Sequence, residues 1–492
     1  MKKFCVTTPI YYINGDPHIG HAYASIAADI IARFKRLDGF DVHFSTGTDE
    51  HGIKVARSAE KAGMDINLYA DKMAQRFKDL AQKIKISADD FIRTTESRHI
   101  VAAQEFWKRL EKDIYKDRYA GWYDARDECF VAEEDIVDGK APSGGTVEWM
   151  EEESYFFRLS AYQDKLLKYY DEHPDFIAPA SRRNEVIAFV KSGLKDLCIS
   201  RSKFDWGIPV PGDSKHVMYV WIDALANYTT SLGWPNKDVS DYMNECVHII
   251  GKEILRFHAV YWPAFLMGAG ITLPKRIFAH GWWTCEGQKM SKSIGNVVDP
   301  NEIVDKYGLD QVRHFLFREV HFGEDGDFSE EALKKRVSYD LSNDLGNLVQ
   351  RVLAFVQKFD GKLTADYDFD ESSRFLVEHS HELITKMRKS VDEQNLFDAL
   401  SKVWTLISET NKFVNDEKPW ELAKQNSPHL NSVLTAACEA LRAIAFGIAP
   451  FMPDTAEKIF GFMNLDGKSF SEISQKFETQ TFPAPEQLFP RQ

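Results

Sequence analysis

Residues 4–45 read FCVTTPIYYINGDPHIGHAYASIAADIIARFKRLDGFDVHFS, and this stretch decides the fold. Phe4–Thr8 has the composition of a short buried strand, and residues 9–20 hold the prolines and glycines of a loop. From about His21 the apolar Ile26, Ile30, Ile31 and Phe34 recur near helical spacing until Gly39 stops the pattern. Phe40–Ser45 then reads as a second strand. Strand, helix and strand with short links make the βαβ unit of a parallel sheet.

The pattern returns farther on. Val247–Ile250 is strand-like and runs into Gly251-Lys252-Glu253, and Ile277–Ala279 runs into His280-Gly281. Residues 116–205 between these halves are rich in acidic and aromatic residues, with a turn cluster at Ala141–Gly145. They predict a small domain inserted into the sheet. From about Ser329 the signal is helical, with Leu341, Leu345, Leu348, Val352 and Phe355 on one stripe, as in a helical bundle. The predicted divisions are an α/β first half over 1–115, the insertion over 116–205, an α/β second half over 206–285, a connecting region over 286–350 and a helical domain over 351–492.

The 492 residues are enough for about three domains. The net charge of −14 is not that of a general polyanion binder, although local basic patches can act within an acidic chain. None of the six cysteines falls in a C-x-x-C pair, so reduced thiols are expected, with no zinc knuckle and no disulfide framework. No apolar run approaches the ~20 residues of a membrane span. The chain is expected in the cytoplasm, away from membranes.

Two short motifs carry chemistry. His18-Ile19-Gly20-His21 stands between the first strand and helix. Imidazoles there can donate to phosphate oxygens, and the helix start adds N–H groups and a positive dipole end. Lys289-Met290-Ser291-Lys292-Ser293 is a cationic loop able to close on a triphosphate. Either motif alone also reads as an ordinary polar loop.

Together they resemble the paired signatures of the class I aminoacyl-tRNA synthetases. PIYYINGDPHIGH (9–21), TGTDEHG (46–52), YVWIDALANY (219–228) and IIGKEILRFHAVYWP (249–263) narrow the resemblance to the methionyl-tRNA synthetases, over about residues 4–465. That family implies a Rossmann-type catalytic domain and an all-α anticodon-binding bundle. It also implies ATP with Mg2+, methionine and tRNA(Met) as partners.

The resemblance assigns His18, His21, Lys289 and Lys292 to catalysis. It assigns Tyr12, Asn14, Gly20, Gly251, Glu253, Ser291 and Ser293 to ATP. Ile10, Tyr12, Asp49, Trp221, Ala224, Tyr228, Ile254 and His258 match the methionine pocket, with Asp49 for the ammonium group and Tyr228 and His258 as donors to the thioether sulfur. Asn343, Asn347, Arg351 and Trp420 match the anticodon readers, the first three at i, i+4 and i+8. Arg201 matches an arginine near the active site, and Leu225 stands where many members have proline. The insertion holds only Cys129 where many members carry paired cysteines, so a zinc-free enzyme is expected. Because the chain ends soon after the bundle, a monomer is expected.

Taken singly, Trp221, Ile254 and Phe257 read equally as core, Asp49 as a helix cap, Glu253 as a surface residue, the Asn343 row as a solvated face and Trp420 as a tryptophan capping the bundle. Three other functions stay open at this point. They are another class I synthetase, a small-molecule nucleotidylyltransferase that shares the H-x-G-H motif, and a paralogue that binds tRNA without catalysis.

Overall fold

The first strand, β1, spans Lys3–Tyr12 and runs past the predicted end at Thr8. Proline cannot donate a ladder hydrogen bond, but its fixed φ suits a strand, and Pro9 lies beyond the last β1 pair, Thr7 with His248. The remaining strands of this sheet are β2 (Asp41–Asp49), β3 (Asp90–Arg93), β4 (Ile177–Ala178), β5 (Cys246–Gly251) and β6 (Arg276–His280). Their order is β3-β2-β1-β5-β6-β4, and β2–β3, β1–β5, β5–β6 and β6–β4 pair in parallel. The α/β reading therefore holds.

This is a computed structural model, and it describes residues 1–124, 129–131, 133–142, 144–290, 295–358, 362–364, 368–475, 477 and 480–489. The chain divides into two units. One comprises Lys3–Pro17 and His43–His280, with the parallel sheet at its centre. In and just before 116–205, strands Ile114–Asp124, Cys129–Val131, Val147–Phe157 and Leu197–Cys198 form a separate antiparallel sheet. Residues Ile177–Ala178 of the same segment instead supply β4, the edge of the parallel sheet.

The other unit comprises Met1–Lys2, His18–Val42 and Gly281–Gln492. It contains the helix Ile19–Leu37, which follows β1 in sequence. Asp29, fully buried in that helix, accepts from Arg33 and from the equally buried Arg313, both at 2.7 Å. Arg313 also donates to the carbonyls of Phe451 and Pro450 at 2.7 and 2.9 Å. A buried ion pair requires such extra partners to offset its desolvation. Lys35 and Asp38, at the helix end, pair with Asp392 and Arg388 of helix Glu371–Asp392.

The C-terminal bundle is built on helices Glu371–Asp392, Leu396–Glu417, Leu430–Ile448 and Pro453–Phe462. Helix Leu430–Ile448 corrects one expectation, since its 19 residues are long and apolar enough to cross a membrane. In the fold 94% of its apolar window is buried, and it packs on the two long helices before it. Glu439 and Arg442 interrupt its apolar run. They pair with each other inside the bundle, and Arg442 donates to the Ile473 carbonyl at 2.7 Å.

Candidate active site

The first motif builds its own geometry. His18 caps helix Ile19–Leu37: its Nδ1 accepts from Gly20 N–H at 3.1 Å, and its backbone N–H donates to His21 Nδ1 at 3.1 Å. The two rings lie 3.8 Å apart. Because each Nδ1 accepts, each neutral imidazole carries its proton on Nε2, the donor form a phosphate oxygen requires. A Cβ on Gly20 would stand 3.0 Å from the His18 ring, so this glycine makes room for the cap.

The second motif belongs to the same unit. Trp283–Cys285 and Gln288–Lys289 form a hairpin turned by Glu286 and Gly287, both at positive φ. Asp327 pins it, accepting from Gly287 N–H at 2.8 Å and Thr284 Oγ1 at 2.6 Å. Lys289 closes this hairpin, while Ser291, Lys292 and Ser293 lie outside the described residues. After the motif, Val298 accepts from the N–H of Ile19 at 3.2 Å. The chain leaving the lysine motif is thus bonded to the helix start that His18 caps.

The amino-acid candidates lie in the sheet unit. Strand order reverses between β1 and β5, and ligands of open parallel sheets bind beyond the carboxyl ends of strands at such a switch point. Tyr12, Asp49 and Gly251 end β1, β2 and β5. Partly exposed Ile10 precedes Tyr12 on β1, and exposed Asn14 follows it. The Glu253 carboxylate folds back so closely on Gly251 that a Cβ there would displace it.

Trp221, Ala224 and Tyr228 share one face of helix Val220–Thr230. Trp221 stacks on Phe257 at 3.7 Å with a 6° interplanar angle. Tyr12, Trp221 and Ile254 pack, partly buried, on the surrounding core. Phe257–Tyr261 is a π-helical turn, a widening frequent at functional sites, and it carries His258.

His258 Nδ1 lies 3.0 Å from the Ile254 carbonyl, and its Nε2 lies 2.6 Å from the Tyr228 hydroxyl. A carbonyl only accepts, so Nδ1 bears the proton. Burial pushes the imidazole down to about 4, so it is neutral at physiological pH and Nε2 accepts from Tyr228. Burial pushes the Tyr228 phenol well up, which keeps it a donor. The expectation that both side chains offer donors to sulfur is therefore corrected. The phenol proton is held by His258, and the imidazole proton by Ile254. Beneath Tyr228 the buried His248 ring lies 4.1 Å away, held by Thr7 at 2.8 Å and Trp262 at 3.2 Å.

The loop bearing Asp49 is braced from several sides. Glu50 accepts from Thr48 at 2.7 Å and from Arg93 through two nitrogens, at 2.7 and 3.0 Å. Trp206 donates to the Glu50 carbonyl at 2.7 Å, and Tyr12 to the His51 carbonyl at 2.9 Å. Asp49 ends a strand and is buried, which sets aside the helix-cap reading. Sequence reasoning passed over Asp223, although a carboxylate in so apolar a helix was a signal. Its oxygens accept from His51 Nδ1 at 2.7 Å and His99 Nε2 at 2.8 Å. Burial raises its carboxyl, but the two histidines outweigh that and hold it below the ordinary value. Arg201 is buried between the rings of Tyr123 and Tyr219 and donates to the Ser200 carbonyl at 2.8 Å.

The helical candidates gather on the second unit's surface. Val337–Gly346 is π-helical and leads into helix Asn347–Lys358, so the turn at Asn343 is wider than the regular spacing assumed. Asn343 and Asn347 are nonetheless exposed and Arg351 partly so, while Leu341, Leu345, Leu348 and Val352 are buried and Phe355 is half-buried. Arg351 donates to Asn415 at 2.7 Å and lies 6.0 Å from the Trp420 ring. Asn343 borders a polar groove of about 440 Å³ shared with Asn411, Lys412 and Asn415.

Comparison with known proteins agrees along the chain. The family model "tRNA synthetases class I (M)" matches residues 4–148 and 131–353, and "Anticodon binding domain of methionyl tRNA ligase" matches 365–491. The methionine–tRNA ligase of Brucella suis is 50% identical across 100% of this chain and 98% of its own length. That of Mycobacterium tuberculosis is 47% identical, again across 100% and 98%. The M. tuberculosis methionyl-tRNA synthetase solved with methionyl-adenylate has a TM-score of 0.96 at 46% identity, with both chains fully covered. With a parallel-sheet unit, a helical bundle and both motifs in place, the chain belongs to the methionyl family of class I tRNA synthetases.

Proposed function

We infer that this chain is a methionine–tRNA ligase, which activates methionine with ATP and transfers the methionyl group to the 3′ end of tRNA(Met). The observation that carries the catalytic part is the bond from Ile19 to Val298, which joins the histidine-capped helix to the segment leaving the lysine motif.

The methionine carboxylate attacks the α-phosphorus of ATP, which is taken as its magnesium complex. The bond to the bridging oxygen breaks, and methionyl-adenylate and pyrophosphate form. A terminal ribose hydroxyl of the tRNA then attacks the methionyl carbonyl and AMP leaves. No protein nucleophile is required, so positioning and charge stabilisation supply the acceleration. His18 and His21 donate from Nε2 to phosphate oxygens, with Gly20 shaping the turn between them. Lys289 and Lys292 neutralise the departing pyrophosphate, with Ser291 and Ser293 beside them. Gly251 and Glu253 take the ribose, and Tyr12 and Asn14 complete the ATP contacts. Asp49 holds the ammonium group, and Ile10, Tyr12, Trp221, Ala224, Tyr228, Ile254 and His258 enclose the side chain. A thioether suits such apolar and aromatic walls. Asn343, Asn347, Arg351 and Trp420 read the anticodon by edge hydrogen bonds and stacking.

The proposal includes a zinc-free, monomeric, cytoplasmic enzyme. The scattered cysteines support the first of these, and the free thiols of Cys5, Cys198, Cys246, Cys285 and Cys438 among the described residues suit a reducing compartment. The test is exchange of labelled pyrophosphate into ATP with each standard amino acid in turn. Methionine should drive it, and equal or faster exchange with isoleucine, leucine or cysteine overturns the assignment.

A further inference from the structure

Methionine offers two ends to this chain, and different elements receive them. Asp49, for the ammonium group, ends β2. Trp221, Ala224 and Tyr228, for the side chain, lie on helix Val220–Thr230. Binding both ends at once requires a fixed spacing between strand end and helix. Glu50 braces the Asp49 loop toward Arg93 and Thr48, neither of which lies on that helix.

One side chain bridges the gap. Asp223 lies two residues after Trp221 and one before Ala224, fully buried. Its Oδ2 accepts from His51 Nδ1 at 2.7 Å, two residues beyond Asp49. The carbonyl of His51 in turn accepts from Tyr12 at 2.9 Å. The other oxygen, Oδ1, accepts from His99 Nε2 at 2.8 Å, and His99 Nδ1 lies 3.2 Å from Thr230 at the end of the same helix. A carboxylate can take an N–H on each oxygen and an amide cannot, since one of its two positions is itself a donor.

We propose that Asp223 is a positioning residue for the amino-acid substrate, its carboxylate holding the Asp49 loop, through His51, at a set distance from the Trp221–Ala224–Tyr228 face. The inference rests on the reading of this pocket as the methionine site. Contacts that hold the substrate equally in the ground and transition states set KM rather than kcat, so the spacing of the two methionine ends should be read in KM.

The test is steady-state pyrophosphate exchange with the full chain. In Asp223→Asn, the KM for methionine should rise about ten- to hundredfold, the worth of a buried hydrogen bond to a charged group, while kcat and the KM for ATP stay within about twofold. His51→Ala, which removes the donor, should show the same split. His51→Asn should recover most of the loss, because its amide nitrogen takes the place of Nδ1. This last pair decides the matter if Asp223→Asn is insoluble. A methionine KM within about twofold of the parent in His51→Ala or in soluble Asp223→Asn overturns the proposal. So does a fall in kcat with an unchanged KM for methionine, the mark of a purely structural role. If the parent shows no methionine-dependent exchange, the functional reading fails instead.

Discussion

Trp420→Ala separates RNA reading from amino-acid activation in a single variant. Trp420 is half-buried at the start of the short helix Pro419–Lys424, entered through Lys418 at a φ of 45°. Its ring lies 6.2 Å from Phe355 and 6.0 Å from the Arg351 guanidinium. These are contacts at the edge of the bundle, so truncation should cost less than the ~3–5 kcal/mol typical of a buried aromatic. As a platform for an unstacked anticodon base, the ring is worth about 1–3 kcal/mol. Charging of tRNA(Met), as kcat/KM, should therefore fall roughly tenfold to hundredfold. Exchange of pyrophosphate without tRNA should stay near the parent rate, because the candidate methionine residues belong to the sheet unit and Trp420 packs on Phe355 and Arg351 rather than on either motif. The two rates and a circular-dichroism melt complete the assay. A parallel fall in both rates would show that Trp420 holds the fold, and no fall in charging would remove it from the anticodon site.

Lys292→Ala should slow single-turnover adenylate formation far more than it weakens methionine binding, since its charge matters as pyrophosphate departs; a higher methionine dissociation constant with an unchanged rate would defeat that role. His258 takes its proton at about 4 in the folded chain, against 6.5 in its ordinary state. The unfolded chain therefore binds more protons between those values, and this group's contribution is complete above pH 6.5 and lost as pH falls through 4. The loss amounts to about 3 kcal/mol. The urea midpoint of the parent should fall more steeply over that window than that of His258→Asn, and equal slopes would contradict the neutral imidazole. Elemental analysis of the purified protein should find no stoichiometric zinc, and one tightly bound zinc per chain would sink the zinc-free assignment.

The parts of the site that were legible in the sequence were those written within a few residues. His18 and His21 stand three apart at a strand-to-helix junction, and Trp221, Ala224 and Tyr228 fall on one helical face. The buried leucines opposite Asn343 and Asn347 followed from helical periodicity, although the π-helical widening over Val337–Gly346 did not. Asp223 was in plain view and still passed over, because its meaning lies in partners 172 and 124 positions away. Helix Leu430–Ile448 escaped as an apolar run because two charges interrupt it, and only their burial against each other shows it to be core.

Periodicity, turn residues and motif letters are local properties of the chain. By themselves they determined the parallel sheet, the helical bundle and the places of the two short motifs. A tautomer depends on which partner reaches each ring nitrogen. For His18 and His21 the partners stand two and three residues away, in the helix cap that puts their protons on Nε2. Only the tertiary structure decided that His258 is neutral and accepts from Tyr228, 30 positions away. The bond from Ile19 to Val298 has the same origin. It joins two residues far apart in the sequence, so no local pattern announces it.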